Sequence, residues 1–137
     1  MDHTTLDHIT LAGLRVHAHH GVFDFEREAG QEFVTDVTAW LDFTAAASGD
    51  ELAATVHYGE LAVAVVDAVK RDPVDLIETL AERIASVVLG FSAVQRTRVT
   101  VHKPNAPIEV PFDDVSVTIE RGRTAGADDA NAVQETT

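Results

Sequence analysis

Four stretches of the chain alternate apolar and polar residues with a period of two, and two others repeat with the helical period. In the first, Ile9 and Leu11 share a phase that shifts after Gly13 to Leu14 and Val16, which predicts a strand over Ile9–Val16 with a bulge at the glycine. Phe33, Val37, Ala39, Leu41 and Phe43 alternate with Val34, Asp36, Thr38, Trp40 and Asp42, so a long second strand with one apolar face is expected. Thr97–Lys103 and Val115–Ile119 read the same way, with Val99 and Val101 inward on one and Val115, Val117 and Ile119 inward on the other. Between strands two and three, Leu61, Val65, Ala68 and Val69 predict a helix over Gly59–Arg71, ended by Asp72-Pro73. A stripe of Ile77, Leu80, Ala81, Ile84, Val87, Val88 and Phe91 predicts a second helix over Leu76–Phe91, with Asp75 able to cap its first turn. The stretch from His20-Gly21 to Gly30 reads as loop.

The resulting order, ββααββ, segregates strands from central helices. That favours an α+β architecture, a four-stranded antiparallel sheet with both helices packed on one face. The connection before the helices has room for extra short structure. No repeat of fixed period is present. Trp40, Val34 and Thr38 give the other face of strand two more apolar character than a solvated face usually shows, and burial against another subunit would explain it. From Gly122 onward the chain is small, polar and acidic, so residues 1–121 are expected to form one domain and 122–137 a disordered tail.

Composition narrows the partners. With 10 Lys and Arg against 23 Asp and Glu, the net charge of −13 repels phosphate backbones, so nucleic acid is not expected as a partner. The absence of cysteine removes disulfides, thiolate metal sites and cysteine nucleophiles. No apolar run reaches the ~20 residues that span a bilayer, and Met1–His8 is polar and acidic where a signal peptide would be basic and then apolar, so no membrane association and a cytoplasmic location are expected.

Five features could carry chemistry. His17, His19 and His20 resemble a metal-ligand cluster, because His-x-His on a strand puts two imidazoles on one face, but no further ligand follows at a recognisable zinc spacing. His57-Tyr58-Gly59-Glu60 is an ordinary helix start that also presents a phenol able to pass protons. Asp75-Leu76-Ile77-Glu78 has the spacing of a capping box; alternatively, Glu78 is a carboxylate beside free backbone groups, able to pair with an amidine-like edge such as a 2-aminopterin or guanine. Lys103 shares the parity of Val99 and Val101, which ends an inward-facing row on an ammonium, just before a loop broken by Pro104, Pro107 and Pro111. Glu26 has nothing local to distinguish it from Glu28.

Together, His20-Gly21-Val22-Phe23, Glu26 with Gly30-Gln31, Val56-His57-Tyr58-Gly59-Glu60, Leu76-Ile77-Glu78 with Ala81-Glu82-Arg83-Ile84-Ala85, and His102-Lys103-Pro104-Asn105-Ala106-Pro107-Ile108 resemble the dihydroneopterin aldolases. The likeness spans roughly residues 7–121. It implies a tunnelling fold, rings of four subunits that stack into octamers, and active sites between neighbours. It further implies Glu78 as the pterin anchor, helped by Leu76, Ile77, Val56 and His57; Tyr58 from the adjacent subunit as a proton-transfer group; and Lys103 as the catalytic ammonium working with Glu26. The implied reaction is retro-aldol cleavage of 7,8-dihydroneopterin in folate biosynthesis, with no cofactor, metal or Schiff base, and with epimerase or oxygenase side activities in several members. Two alternatives stay open: a zinc-dependent pterin synthase of a related family using His17, His19 and another histidine, and an oligomer that binds pterin without turnover.

Overall fold

The computed structural model describes residues 6–123. Its elements run β1 (Asp7–Ala18), α1 (Asp24–Ala29), β2 (Gln31–Leu41), α2 (Thr44–Gly49), a 3-10 turn (Leu52–Ala54), α3 (Tyr58–Lys70), α4 (Ile77–Leu89), β3 (Arg96–His102) and β4 (Ser116–Gly122). The strands form one antiparallel sheet in the order β1-β2-β3-β4. The expected ββααββ order is therefore interrupted: α1 lies between the first two strands, where the sequence reads as loop, and α2 with the 3-10 turn fills the long connection. Six residues are too few for helical periodicity to show, and α1 is held by tertiary contacts described below.

The bulge falls where expected. The β1–β2 register shifts between Leu11 and Leu14, Gly13 takes φ +74°, and its N–H donates to Asp36 Oδ1 at 2.8 Å. The inward row of β2, from Phe33 through Thr35, Val37 and Ala39 to Leu41, is fully buried. Val99 and Val101 of β3 meet it. α3 covers this face near β1 with Leu61, Val65, Ala68 and Val69, and α4 covers it near β3 and β4 with Ile77, Leu80, Ala81, Ile84, Ala85 and Val88. Val87 and Phe91, placed by the sequence on the same stripe, are only half-buried, and Ala85 takes a core position instead.

Two arginines tie the helix ends down. Arg83 of α4 donates to the carbonyls of Ala68, Arg71 and Asp72 at 3.0, 2.7 and 2.8 Å, which closes the C-terminal end of α3. Arg123 donates to Leu89, Phe91 and Val94 carbonyls at 2.5, 3.2 and 3.0 Å, past the C-terminal end of α4. Gly122 and Arg123 thus belong to the folded unit, two residues beyond the expected boundary, and the rest of the expected tail, 124–137, lies outside the described residues.

The sheet's other face is polar and self-satisfied. Thr10 bonds Thr38 at 3.0 Å, Thr100 bonds Thr118 at 2.8 Å, and Arg98 pairs with Glu120 at 2.8 Å. Trp40 is half-buried here because Arg96 and Arg98 lie 4.2 and 5.3 Å from its ring centre and His8 lies 5.7 Å away. Its cover is thus partly supplied by its own chain.

Candidate active site

A carboxylate withdrawn from water survives as a charge only if donors replace the water. Glu26, on the first turn of α1, is such a group, with a side chain only 2% exposed. Lys103 Nζ stands 2.8 Å from its Oε2, Gln31 Nε2 donates to the same oxygen at 3.0 Å, and the Phe23 N–H donates to Oε1 at 3.2 Å. Burial by itself would raise the Glu26 carboxyl; the bonds from Lys103, Phe23 and Gln31 and the charge of Lys103 outweigh it and hold the group below the ordinary carboxylate range. Glu28, its equal in sequence, is exposed.

Gly21 makes room for this arrangement. At φ +154° it passes so close that an added Cβ would sit 2.7 Å from Glu26 Cβ and nearer still to its carboxyl group. Lys103 lies one residue beyond β3, on the inward side its parity predicts, with its N–H bonded to Val115 O at 2.8 Å and its side chain 13% exposed. Gln31, in the sequence only part of the Gly30-Gln31 motif with no role of its own, is brought beside Glu26 by the turn after α1, and its Oε1 is buried without a partner among the described residues.

The start of α4 is held against this shell. The Gly21 N–H donates to Val74 O at 2.9 Å, and Arg27 bridges Gly21 O at 2.8 Å and Asp75 Oδ1 at 2.6 Å. The expected cap is corrected here. Leu76, in extended conformation, occupies the N-cap with no side-chain cap bond, and the Asp75 carboxylate is engaged with Arg27. With no capping box to close, Glu78 stands exposed on the first turn, without a hydrogen bond or ion pair among the described residues, next to the half-exposed Leu76 and the buried Ile77. The first N–H groups of α4 have no intrahelical acceptor. A carboxylate beside such donors can pair bidentately with the donor edge of an amidine-like ring.

Tyr58 is not part of this group within one chain. It begins α3, is 63% exposed, and lines a separate groove of about 730 Å3 with Ile9, Leu11, Phe43, Leu52 and Val56. His57 caps α3, its Nδ1 accepting from the Glu60 N–H at 3.3 Å, and Val56 is buried. Of the sequence-derived candidates, the fold therefore joins Glu26 to Lys103, brings the Leu76–Glu78 turn alongside, and leaves the buried Val56 and the exposed His57 and Tyr58 apart from them.

His17, His19 and His20 are engaged with backbone. His17 Nε2 and His19 Nδ1 lie 3.1 and 3.0 Å from the Ala29 and Arg27 carbonyls, closing the end of α1. His20 is buried, donating from Nε2 to Val69 O at 2.5 Å and accepting the Val74 N–H on Nδ1 at 3.0 Å. Burial, reinforced by the charges of Arg83 and Arg27, outweighs the bond to the Val69 carbonyl and lowers its pKa, in keeping with the neutral ring that an accepting Nδ1 requires. No cluster of three or more His, Cys, Asp or Glu suited to a metal ion occurs among the described residues. No helix among them is long and apolar enough to cross a membrane.

Comparison with known proteins gives a consistent result. The family model described as FolB, dihydroneopterin aldolase, matches residues 9–120. A Streptomyces coelicolor protein named dihydroneopterin aldolase is 55% identical over 118 residues, 86% of this chain and 99% of that protein. A crystal structure of the E. coli dihydroneopterin aldolase in complex with neopterin superposes with a TM-score of 0.77 at 31% identity, covering 85% of this chain and 99% of that one. A Burkholderia thailendensis dihydroneopterin aldolase bound to guanine gives a TM-score of 0.72 at 26% identity, covering 86% and 92%.

Proposed function

The chain belongs to the dihydroneopterin aldolase family, carbon–carbon lyases of folate biosynthesis, and from that premise we propose that it cleaves 7,8-dihydroneopterin by acid–base chemistry centred on Lys103 and Glu26. The observation that carries this mechanism is the Lys103–Glu26 pair itself, buried, hydrogen-bonded and placed beside a helix start whose carboxylate is unengaged.

Glu78 anchors the ring: its carboxylate takes the 2-amino and adjacent N–H donors, and backbone groups at Leu76 and Ile77 complete the contact. Two relatives support this, since neopterin and guanine, the molecules in their crystals, present the same aminopyrimidinone edge. The substrate carries a ring C=N beside its trihydroxypropyl chain. A proton leaves the side-chain hydroxyl, the neighbouring C–C bond breaks, and its electron pair runs into the ring as an enamine while glycolaldehyde departs. A proton then returns to carbon, giving 6-hydroxymethyl-7,8-dihydropterin. The protein supplies position and proton transfer, through Lys103, Tyr58 and water, and the substrate supplies the electron sink.

Lys103 acts as an ammonium. A Schiff-base lysine needs a carbonyl to attack and a neutral amine, and dihydroneopterin offers no carbonyl at the reacting carbon. A neutral Lys103 would also strip the buried Glu26 carboxylate of its counter-charge. Tyr58, on a different surface from Glu26 and Lys103, reaches the substrate from a neighbouring subunit. On the same reading the fold is a tunnelling fold assembled in rings of four, with octamers as the stacked form and Val56 and His57 contributing to the pterin pocket.

Incubation with 7,8-dihydroneopterin, with chromatography of the pterin products, tests the reaction and shows whether epimer or oxidised pterin appears beside it. Borohydride added during turnover should leave no adduct on Lys103 by peptide mass spectrometry, and exhaustive chelation should leave the rate unchanged. A reduced adduct on Lys103, or activity lost to chelator and restored by zinc, would overturn the mechanism.

A further inference from the structure

A second ionisable cluster lies on the sheet face away from the helices. The His102 ring sits between two carboxylates, Nε2 2.7 Å from Asp36 Oδ2 and Nδ1 2.7 Å from Asp114 Oδ2. A neutral imidazole carries one N–H and can satisfy one carboxylate; two at this distance require the imidazolium. Asp36 is anchored in turn by the Gly13 N–H at the β1 bulge.

The position of this ring in the chain matters more than its charge. His102 ends β3 and immediately precedes Lys103; Asp114 immediately precedes Val115, whose carbonyl accepts the Lys103 N–H at 2.8 Å. The residues between, 104–115, contain no helix or strand and are mostly exposed. The His102–Asp114 contact therefore joins the two ends of this loop, and the His102–Asp36 contact fastens them to β2. Lys103 points to the opposite side of the sheet, into Glu26.

We infer that His102 is a positioning residue for Lys103: clasped by Asp36 and Asp114, it fixes the strand end from which the ammonium reaches Glu26. This rests on Lys103 and Glu26 being the reaction centre. The two carboxylates, Asp114 first and then Asp36, raise the His102 pKa above its ordinary value of 6.5. Other charges on that face are engaged elsewhere: Arg15 of β1 lies 3.7 Å from Glu32, Arg98 pairs with Glu120 of β4, Arg96 lies over Trp40, and the β4 residue opposite His102 is the uncharged Ser116. Glu109 and Asp113, in the loop itself, are exposed. As pH rises through the raised pKa the ring loses one N–H, one carboxylate contact is released, and the strand end loosens.

The test is Asp114→Asn, an exposed loop substitution that spares the ring and Asp36. The His102 titration is followed by NMR, kcat and KM for dihydroneopterin across pH, and Lys103 acylation by acetic anhydride at fixed pH by peptide mass spectrometry. The ring should titrate at lower pH in the variant, and the alkaline fall of kcat should move down with it. At a pH between the variant's ring titration and the parent's, as located by NMR, kcat should be lower by roughly tenfold with KM within about twofold, and Lys103 should be acylated faster than in the parent, while below both titrations the two proteins should match. A ring titration that moves while the kcat profile and Lys103 acylation stay put, with or without a lower melting temperature, overturns the inference and leaves His102 a structural tie. If the parent itself fails to cleave dihydroneopterin, the reaction-centre reading falls, and the acylation comparison still decides whether His102 positions Lys103.

Discussion

Glu26 keeps its charge inside the protein because three donors converge on it, and each can be removed separately. Lys103→Ala strands the carboxylate, which should cost about 3 kcal/mol and abolish turnover. The sign of the accompanying pH effect follows from the depressed pKa. The stability that Glu26 contributes is present above its ordinary value of 4.5 and is lost as pH falls through the lower folded value, so removing Lys103, which lets the folded value rise, should make that acid-dependent loss smaller in the variant. Melting curves between about pH 3 and 6 on parent and variant measure this. Gly21→Ala attacks the same group by steric means and should cost roughly 1–3 kcal/mol, with activity falling in parallel. Glu78→Ala should instead leave the melting temperature nearly unchanged, since the carboxylate caps nothing, and abolish pterin binding in a titration; preserved binding would remove Glu78 from the site. Tyr58→Phe should lower kcat with KM roughly constant, as for a contact made in the transition state, and an equal loss in both would point to packing.

At the scale of elements, His20 joins three of them: it follows β1, donates to the end of α3 at Val69, and accepts from Val74 ahead of α4. Because burial lowers its folded pKa, the unfolded chain binds the extra proton, and stability should fall as pH drops below 6.5, opposite to the alkaline loosening at His102. His20→Gln, which keeps a donor and an acceptor, should flatten that slope in thermal melts from about pH 7 to 5. These contacts also show what a sequence can reveal. The bulge at Gly13, the burial of Phe33 to Leu41 and the two long helices follow from periods that each element carries within itself. Lys103 was legible as inward for the same reason. Glu26 was not, because α1 is six residues long and its burial depends on Gly21, Gln31 and Lys103, the last 77 residues away in sequence. Asp75 misled for a related reason: its spacing to Glu78 suits a capping box, but Arg27, 48 residues earlier, takes its carboxylate. The Asp36–His102 contact spans 66 residues and has no local signature at all.

At the scale of the whole molecule, the proposal that Tyr58 comes from a neighbouring chain makes a prediction that no single chain can satisfy. Co-expressed Glu78→Ala and Tyr58→Phe variants, each impaired alone, should recover about a quarter of parental activity, because random mixing regenerates that share of intact sites. No recovery in the mixed oligomers would place Tyr58 and Glu78 on the same chain. The last described residue has a more practical bearing. The Arg123 guanidinium closes three carbonyls around the end of α4, so the folded unit extends through it. For anyone fusing a reporter, an affinity handle or a surface tether to this enzyme, a junction placed directly after Arg121 would discard that clamp, whereas one placed after Arg123 would keep it. The choice of those two residues would then separate a fusion that melts with the parent from one whose α4 end frays.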